Sequence, residues 1–589
     1  MTELYLQKDG TTAWQQLWPD TAQSIKLTRE NPYFTQSESY TLDVTLPMDI
    51  LQNRSFFQNI QRMERSKQPQ HMKCRLVVDN HPVLTGTARV TQVTQESVKV
   101  QLVGGRSEVN FLSEDSGDYI DELPLGHIAV GSSTTDTGVR VDVSPINDET
   151  RGGMSSTYQY GLVDLAMQII IHYGFTITSC SVNVEPWNRL FVATAKQTRE
   201  ASHTLPHWTP REFFTEFCNF FNVTLDIDEV QRTVAIVGTP SFFAARQRKQ
   251  LEPVDEYTAE ISADSGDSHA LAADNISFDL SGSAAHDYDC IPENVREGVN
   301  KVDYATLQAA QTAYAAMADA QRRRQLFVTP IGTFTAWEHD YSDWGEQPQT
   351  MFTQMDVLAP LTRNSDSETK LKICPAAIVM GEYEGGFGGS GGSAHTRTTR
   401  LFLPSVENPT PNDTYIYISE SGGVFGGPRQ ENGSTEQEGA TIQELVTGEA
   451  EVEGQAEKED RLQVMFIDDV PQTYSRVDSL TPDRYEQLTR IVGFTDWQYK
   501  KSHRGSTHRR WSLSLNPTDA DYYLGQLHVN GFSFNMKAKH VFRFLADRMP
   551  DPRDIFIVRG KRYGCEKIEA SVNADGFDKL MTGYFYEML

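Results

Sequence analysis

Period-two alternation of apolar and polar side chains, present towards both ends of the chain, is the feature that most restricts its fold. Ser39 to Leu46 reads SYTLDVTL, and Cys74 to Gly105 continues as CRLVVDNHPVLTGTARVTQVTQESVKVQLVGG, broken at Asp79-Asn80, Gly86 and Gln95-Glu96. Successive side chains of a strand face opposite sides of a sheet, so this pattern with regular turn signals predicts antiparallel sheet ending in a hairpin meander. Residues 1–120 are therefore expected to form an N-terminal β-barrel or sandwich. One helix is expected to interrupt it, from Met48 or Asp49 to about Glu64, with Pro47 at its start. Strand-like runs return in FSFNM, HVFRFL, IFIVRGKRYGCEKIEASV and MTGYFYEML, which makes 461–589 a second strand-rich region.

Between them the rhythm changes. Leu162, Leu165, Ile169 and Tyr173 recur at helical spacing, Gly174 stops the helix, and Phe175 to Thr178 resumes as strand. The unit repeats in LPHWTPREFFTEFCNFFNVTLDIDEVQRTVAIV, with Thr209 as N-cap, Pro210 in the first helical position and Glu212 in the first turn. Phe213, Phe214, Phe217, Phe220 and Phe221 form the apolar stripe, Asn222 stands in for the glycine, and Val223–Ile227 and Thr233–Val237 form a hairpin. Residues 150–250 are thus two tandem helix-strand modules. A mixed loop, helix and strand region follows over 251–380, with a helix from about Tyr304 to Arg324 whose three closing arginines suit the negative end of the helix dipole.

Residues 381–460 read as a flexible insertion. GEYEGGFGGSGGS (Gly381 to Ser393) opens it, and Glu431 to Asp460 holds ten carboxylates against one lysine. The fold class expected is α+β and β-rich: two antiparallel β-barrel or sandwich regions, an intervening helix-strand region, and this acidic insertion.

Several chemistries are excluded or left without support. With 53 Lys and Arg against 80 Asp and Glu, the net charge of −27 disfavours general binding to nucleic acid or anionic lipid. The six cysteines (Cys74, Cys180, Cys218, Cys290, Cys374, Cys565) are dispersed, without CxxC, so neither a disulfide scaffold nor a zinc knuckle is indicated. No basic and apolar leader precedes the chain's first strands, and no apolar run approaches a membrane span. Gly386 to Gly391 fits GxGxxG, and Gly388 to Gly392 fits GxSxG around Ser390, but neither stands between a strand and a helix, as phosphate cradling or a nucleophile elbow requires.

His203 and His207 have a spacing seen among metal ligands, with Cys180 and Cys218 flanking them in sequence. Pro206 prevents a helix from presenting both imidazoles on one face, so Leu205 and Trp208 are read as packing against the phenylalanine stripe. The pairs Asp226-Asp228 and Asp468-Asp469 have the residue types of glycoside hydrolysis, among 80 carboxylates in all. A basic island with aromatics runs from Tyr499 through Lys500, Lys501, His503, Arg504, His508, Arg509 and Arg510 to Trp511; its composition suits a grip on single-stranded nucleic acid or a phosphorylated glycan, and against that it is read as a hairpin turning at Gly505-Ser506 whose cations meet acidic surface on a neighbouring subunit. No catalytic, cofactor-binding or metal residue is assigned, and the chain is expected to be non-enzymatic.

NPYFTQSESYTLDVTLP (Asn31 to Pro47), with RLVVDNHPVLTGTARVTQV and QLVGGRSEVNF, resembles the N-terminal region of tail-tip hub proteins from phages and prophages of gut Bacteroidetes. LPHWTPREFFTEFCNFFNVTLDID and the closing IFIVRGKRYGCEKIEASV resemble the same family, and a barrel followed by helix-glycine-strand units is similar to baseplate hub and tail-associated proteins more broadly. The resemblance implies a homotrimeric ring at the end of a tail tube, with two similar barrels per subunit giving six quasi-equivalent positions. It further implies tail-tube and distal tail proteins, and tip, spike or receptor-binding proteins, as partners, with DNA only in transit. It places the protein in the virion tail after synthesis in the bacterial cytoplasm. Carboxylates are then expected to line the channel and repel DNA, with Lys500 to Arg510 facing away from it. The alternative is a carbohydrate-binding or carbohydrate-degrading β-protein acting on envelope glycans; a trimer that associates with tail tube distinguishes the first reading from it.

Overall fold

A computed structural model describes residues 2–8, 11–20, 24–34, 40–41, 44–65, 71–104, 118–125, 143–146, 157–192, 204–228, 231–254, 258–261, 275–280 and 300–318. It further describes residues 325–330, 332–339, 349–354, 358–363, 368–376, 379–386, 395–402, 415–419, 460–466, 489–491, 511–518 and 520–589.

The two strand-rich regions at the ends of the chain belong to one sheet, 15-stranded among the described residues. Its N-terminal part runs from Gln15–Leu17 through Thr2–Lys8, His71–Val78, His81–Val93 and Ser97–Gly104 to Tyr40–Thr41 and Ile25–Glu30. There it crosses to the other end of the chain: Ile25–Glu30 lies antiparallel to Lys561–Asn573, in register from Ile25 opposite Val572 to Glu30 opposite Lys567. Leu580–Met588, Phe534–Leu545 and Thr258–Ile261 complete the path. The sheet curls as a half-barrel. Alternation explains the curl's inner lining, because Leu4 and Leu6, Val98, Val100 and Leu102, and Ile568, Ala570 and Val572 all point into one apolar core shared by both ends.

The short helix Leu51–Phe56 sits where a longer one was expected from Met48 or Asp49 to Glu64. Gln58 and Asn59 take left-handed φ values of 51° and 61°, which end the helix, while Phe56, Phe57 and Ile60 still reach the core.

Two helices, each followed by a strand, lie within residues 150–250. Helix Leu162–His172 ends before Gly174, whose φ of 74° suits glycine, and strand Thr176–Cys180 follows. Helix Pro210–Phe221 opens on a full capping box between Thr209 and Glu212 and closes on Asn222 in the left-handed conformation. The hairpin Val223–Asp228 and Thr233–Gly238 follows, and its second strand pairs in parallel with Thr176–Cys180, so both modules share one sheet. Phe213, Phe214, Phe217, Phe220 and Phe221 are all buried in the largest apolar core, together with Ile373, Leu462, Val464 and Leu513 from distant parts of the chain.

A smaller unit packs helix Leu307–Ala316 on strands Asn300–Asp303, Gln325–Thr329, Gly332–His339 and Gln349–Gln354, around Tyr314, Phe327, Phe334 and Phe352. This helix is shorter than the one expected over Tyr304 to Arg324, and Arg322 to Arg324 lie outside the described residues. Gly381 to Gly386, expected to begin a flexible insertion, are strand: Val379–Gly386 pairs with His395–Phe402, from Val379 opposite Phe402 to Gly386 opposite His395. The glycines here extend the regular register that Val379 and Met380 begin. Residues 387–394 and 420–459 lie outside the described residues.

The modules are tied to the large sheet at one corner. Phe242 and Phe243, on helix Thr239–Ala244, enter an aromatic cluster with Tyr33, Phe34, Phe534 and Tyr586 from both ends of the chain. The Phe243 ring meets Tyr33 at 4.8 Å and Phe534 at 5.3 Å between centroids. Gly564 makes room for it, since a Cβ there would lie 2.5 Å from the Phe534 ring and 2.9 Å from that of Phe34. Beyond the helix, Arg248–Gln250 joins Ile555–Val558 as a parallel strand.

Candidate functional site: the charged cluster around the phenylalanine helix

One side of helix Pro210–Phe221 carries the phenylalanine stripe and the other carries titratable groups. Trp208, just before the helix, donates its indole N–H to Asp460 at 2.5 Å, and Lys372 Nζ meets the other oxygen of that carboxylate at 2.6 Å. Both backbone groups of Lys372 are also engaged: its N–H donates to Glu216 Oε2 at 3.0 Å, and its carbonyl accepts from Leu462 N–H at 3.0 Å. Burial pushes the Glu216 carboxyl up to about 7, with the nearby Asp460 and Asp279 adding to the effect and the Lys372 amide and ammonium opposing it. Glu216 is therefore half-neutral near pH 7 while holding a backbone amide.

At the other end, His528 closes the helix. Its Nε2–H donates to the Phe220 carbonyl at 3.1 Å, satisfying one of the last-turn acceptors that a helix leaves open. Burial pushes this imidazole down to about 4, so it is neutral at physiological pH, and its Nδ1 has no hydrogen-bond partner among the described residues. Asn222 donates to Leu527 O and Asn530 Oδ1, both at 2.7 Å, and thereby binds the same 3-10 turn, Leu524–His528.

His207 stacks on Tyr119 at 3.7 Å between centroids and 16° between planes, and its Nδ1 lies 3.1 Å from both oxygens of the Asp121 carboxylate. The strap 118–125 is fixed there by the Ile120 amide donating to Trp208 O and by Tyr173 OH donating to Asp118. His203 lies outside the described residues, and among the described residues no three His, Cys, Asp or Glu side chains converge as metal ligands. Cys180 and Cys218 pack against the apolar core, where burial pushes the Cys218 thiol up to about 12.

Asp226 is a structural acid. Arg246 and Arg553 both pair with its carboxylate, and Arg553 also binds Asp551 at 2.7 Å, which joins the helix-strand modules to the large sheet. Burial alone would raise the Asp551 carboxyl, but the Arg553 hydrogen bonds and charge outweigh it and hold it at about 2. Asp228 accepts the Gln231 amide in the adjoining turn at 2.9 Å. Asp468, Asp469, Ser390 and Tyr499 to Arg510 lie outside the described residues, whereas Trp511 is buried in the main core.

Glu216 had a sequence signal, as a carboxylate one turn after Glu212 in a helix crowded with phenylalanines. Lys372, Asp460, His528 and Arg553 had none, because each meets the cluster only through tertiary folding.

No protein-family model and no curated protein matches this sequence. Among solved structures, the chain is similar to the 43 kDa tail protein of prophage MuSo2 from Shewanella oneidensis. That match has 10% identity and a TM-score of 0.34, covering 99% of this chain and 97% of that one. A second similarity is to the tail protein from Neisseria meningitidis MC58, at 7% identity and a TM-score of 0.31, covering 100% of this chain and 96% of that one. At those scores neither a fold nor a role passes from them to this chain.

Proposed function

We propose that the chain is a structural protein of a phage or prophage tail, a tail-tip or baseplate hub that assembles as a homotrimeric ring at the end of the tail tube. The observation that carries this reading is the sheet that joins strand-rich units from both ends of the chain around one core. Two β-units per subunit, joined in one sheet, would let a threefold ring present six similar positions to a sixfold tube, and the sequence resemblance to hub proteins points to the same plan. Its partners in this reading are tail-tube and distal tail proteins, with tip, spike or receptor-binding proteins below. DNA passes through in transit, and the protein acts in the virion tail after synthesis in the host cytoplasm.

The chain is read as non-enzymatic. The best-placed acids serve as structural acceptors: two guanidiniums hold Asp226, and Lys372 and Trp208 hold Asp460. Turnover of peptidoglycan or polysaccharide by purified protein, abolished by one Asp or Glu substitution, would overturn this.

Charge is distributed unevenly across the plan. Residues 1–104 carry 11 Lys and Arg against 10 Asp and Glu, residues 534–589 carry 10 against 8, and the stretch between carries 32 against 62. A channel wall built from the large sheet would be close to neutral, so repulsion of DNA would have to come from the intervening residues.

The test is assembly. Light scattering should give a mass near three times 66.3 kDa, and the purified protein should bind tail-tube rings. Gold label directed to it should mark the tail tip in micrographs. A monomer that ignores the tube refutes the hub.

A further inference from the structure

The meander His71–Val78, His81–Val93 and Ser97–Gly104 turns Met72, Cys74, Leu84, Ala88, Val98 and Val100 into the core of the large sheet. Alternate positions face the other way. Lys73, Arg75 and Arg89 are exposed there and Lys99 is half-buried. Register sets these four cations in one line. Arg75 and Lys73 stand two residues apart on one strand; Arg89 is opposite His71, the next position along that face; and Lys99 is two residues from Gln101, which is opposite Arg89. With about 6.8 Å between same-face residues of a strand and about 4.8 Å between strands, successive backbone positions on this diagonal lie roughly 7 to 8 Å apart.

Among the described residues none of the four enters an ion pair. Lys539, Lys561 and Lys567, on the C-terminal strands of the same sheet, and Lys579 just before the last of them are each matched with a carboxylate. The near-neutral total of residues 1–104 conceals this separation, because Asp79 and Glu96 lie in the turns at the strand ends rather than on the face. Arg75 is the one member of the row with a ring beneath it, its guanidinium lying over Trp14 at 5.0 Å from the centroid. The positions between the cations hold Thr87, Gln92 and Gln101.

A row of unpaired cations calls for a row of anions. A protein partner is gripped through an apolar or aromatic centre from which charge is depleted, and this diagonal has hydroxyls and amides there instead. Lys and Arg with Thr and Gln between them are the side chains that meet phosphate oxygens. We propose that the diagonal of Arg75, Lys73, Arg89 and Lys99 is a contact surface for the phosphate backbone of duplex DNA. Four such contacts give a weak grip without sequence preference, and carboxylates elsewhere in the chain are screened beyond about 10 Å at 0.1 M salt. The inference deepens the hub reading, in which DNA passes the protein in transit, by naming the face that meets it; the binding itself does not require a ring.

The test is DNA binding by the full chain. A labelled duplex of arbitrary sequence is titrated by fluorescence anisotropy between about 50 and 200 mM salt, over which log K should fall against log salt with a slope of about −3.6, on the order of 100-fold in all. Lys73→Gln should reduce that slope by about 0.9. Lys73→Gln, Arg75→Gln, Arg89→Gln and Lys99→Gln combined should abolish binding with an unchanged thermal midpoint, since none of the four belongs to the core. Lys537→Gln, Arg559→Gln, Arg562→Gln and Lys579→Gln combined make the same change in net charge on exposed side chains elsewhere and should leave binding in place. Wild-type protein that does not bind, or equal effects of the two combined variants, would overturn the proposal. Binding of poly-glutamate but not of the duplex would identify an acidic protein surface as the occupant and would overturn it too. The same samples are measured by light scattering and offered tail tube. A trimer that binds tube but not DNA overturns this contact and leaves the hub reading standing, whereas a monomer that ignores the tube and binds DNA through the diagonal does the reverse.

Discussion

Glu216 and His528 press on the same helix with opposite pH dependence. Glu216 has its carboxyl raised from 4.5 to about 7, so its contribution is complete below pH 4.5 and is lost as the pH rises through 7. His528 is lowered from 6.5 to about 4, so its contribution is complete above pH 6.5 and is lost as the pH falls through 4. Between roughly 4.5 and 6.5 the two slopes oppose, each worth at most about 1.4 kcal/mol per pH unit, so the pair together should leave native stability nearly flat there. Glu216→Gln keeps an acceptor for the Lys372 amide and removes one slope. The variant should gain on the order of 2 kcal/mol at pH 7.5 and then lose stability steeply on acidification, as thermal unfolding across pH 4.5 to 8 would record. A parallel upward shift at every pH would contradict the burial of that carboxyl.

At the scale of the element, helix Pro210–Phe221 was the most legible part of the chain. Its cap, its stripe and its left-handed stop at Asn222 are all local, and each appears in the structure where the residues put it. Phe217→Ala should cost on the order of 3 to 5 kcal/mol, because a fully buried ring leaves a cavity, and Thr209→Ala about 1 kcal/mol through loss of the capping box; urea titration would separate the two. Less was legible wherever pairing is distant. Thr2–Lys8 alternates well, with Leu4 and Leu6 inward, but only its short partner Gln15–Leu17 is local, and nothing near it announces the longer one, His71–Val78. The helix over Met48 to Glu64 was overextended because apolar spacing continues past Gln58-Asn59, where the backbone turns left-handed. The Asp226 node was readable only as two acids in a strand, since Arg246 lies 20 residues away and Arg553 lies 327 away. Asp226→Ala would leave the partly buried Arg246 guanidinium without its carboxylate and Arg553 with Asp551 alone, and should cost on the order of 2 kcal/mol. Asp226→Asn should recover part of this, and a stability unchanged in both variants would show that the aromatic cluster alone holds the modules to the sheet.

At the scale of the whole molecule, neither terminal β-unit is complete by itself, for each supplies the other with a strand partner along Ile25–Glu30 and with half of a common core. Residues 1–104 expressed alone should therefore lack dispersed amide resonances and a cooperative transition, and should regain both when residues 534–589 are supplied; a stable isolated fragment would refute this dependence. The join also has a cost in time. Val572 follows Ile25 by 547 positions, so on a ribosome adding about 5 to 20 residues per second, the Ile25–Glu30 strand waits roughly half a minute to two minutes for its mate. Throughout that interval a growing chain carries a strand without this partner beside an unfinished core. Residues 561–573 thus decide whether Ile25–Glu30 escapes aggregation, and a nonsense mutation near residue 560 should send residues 1–104 into inclusion bodies.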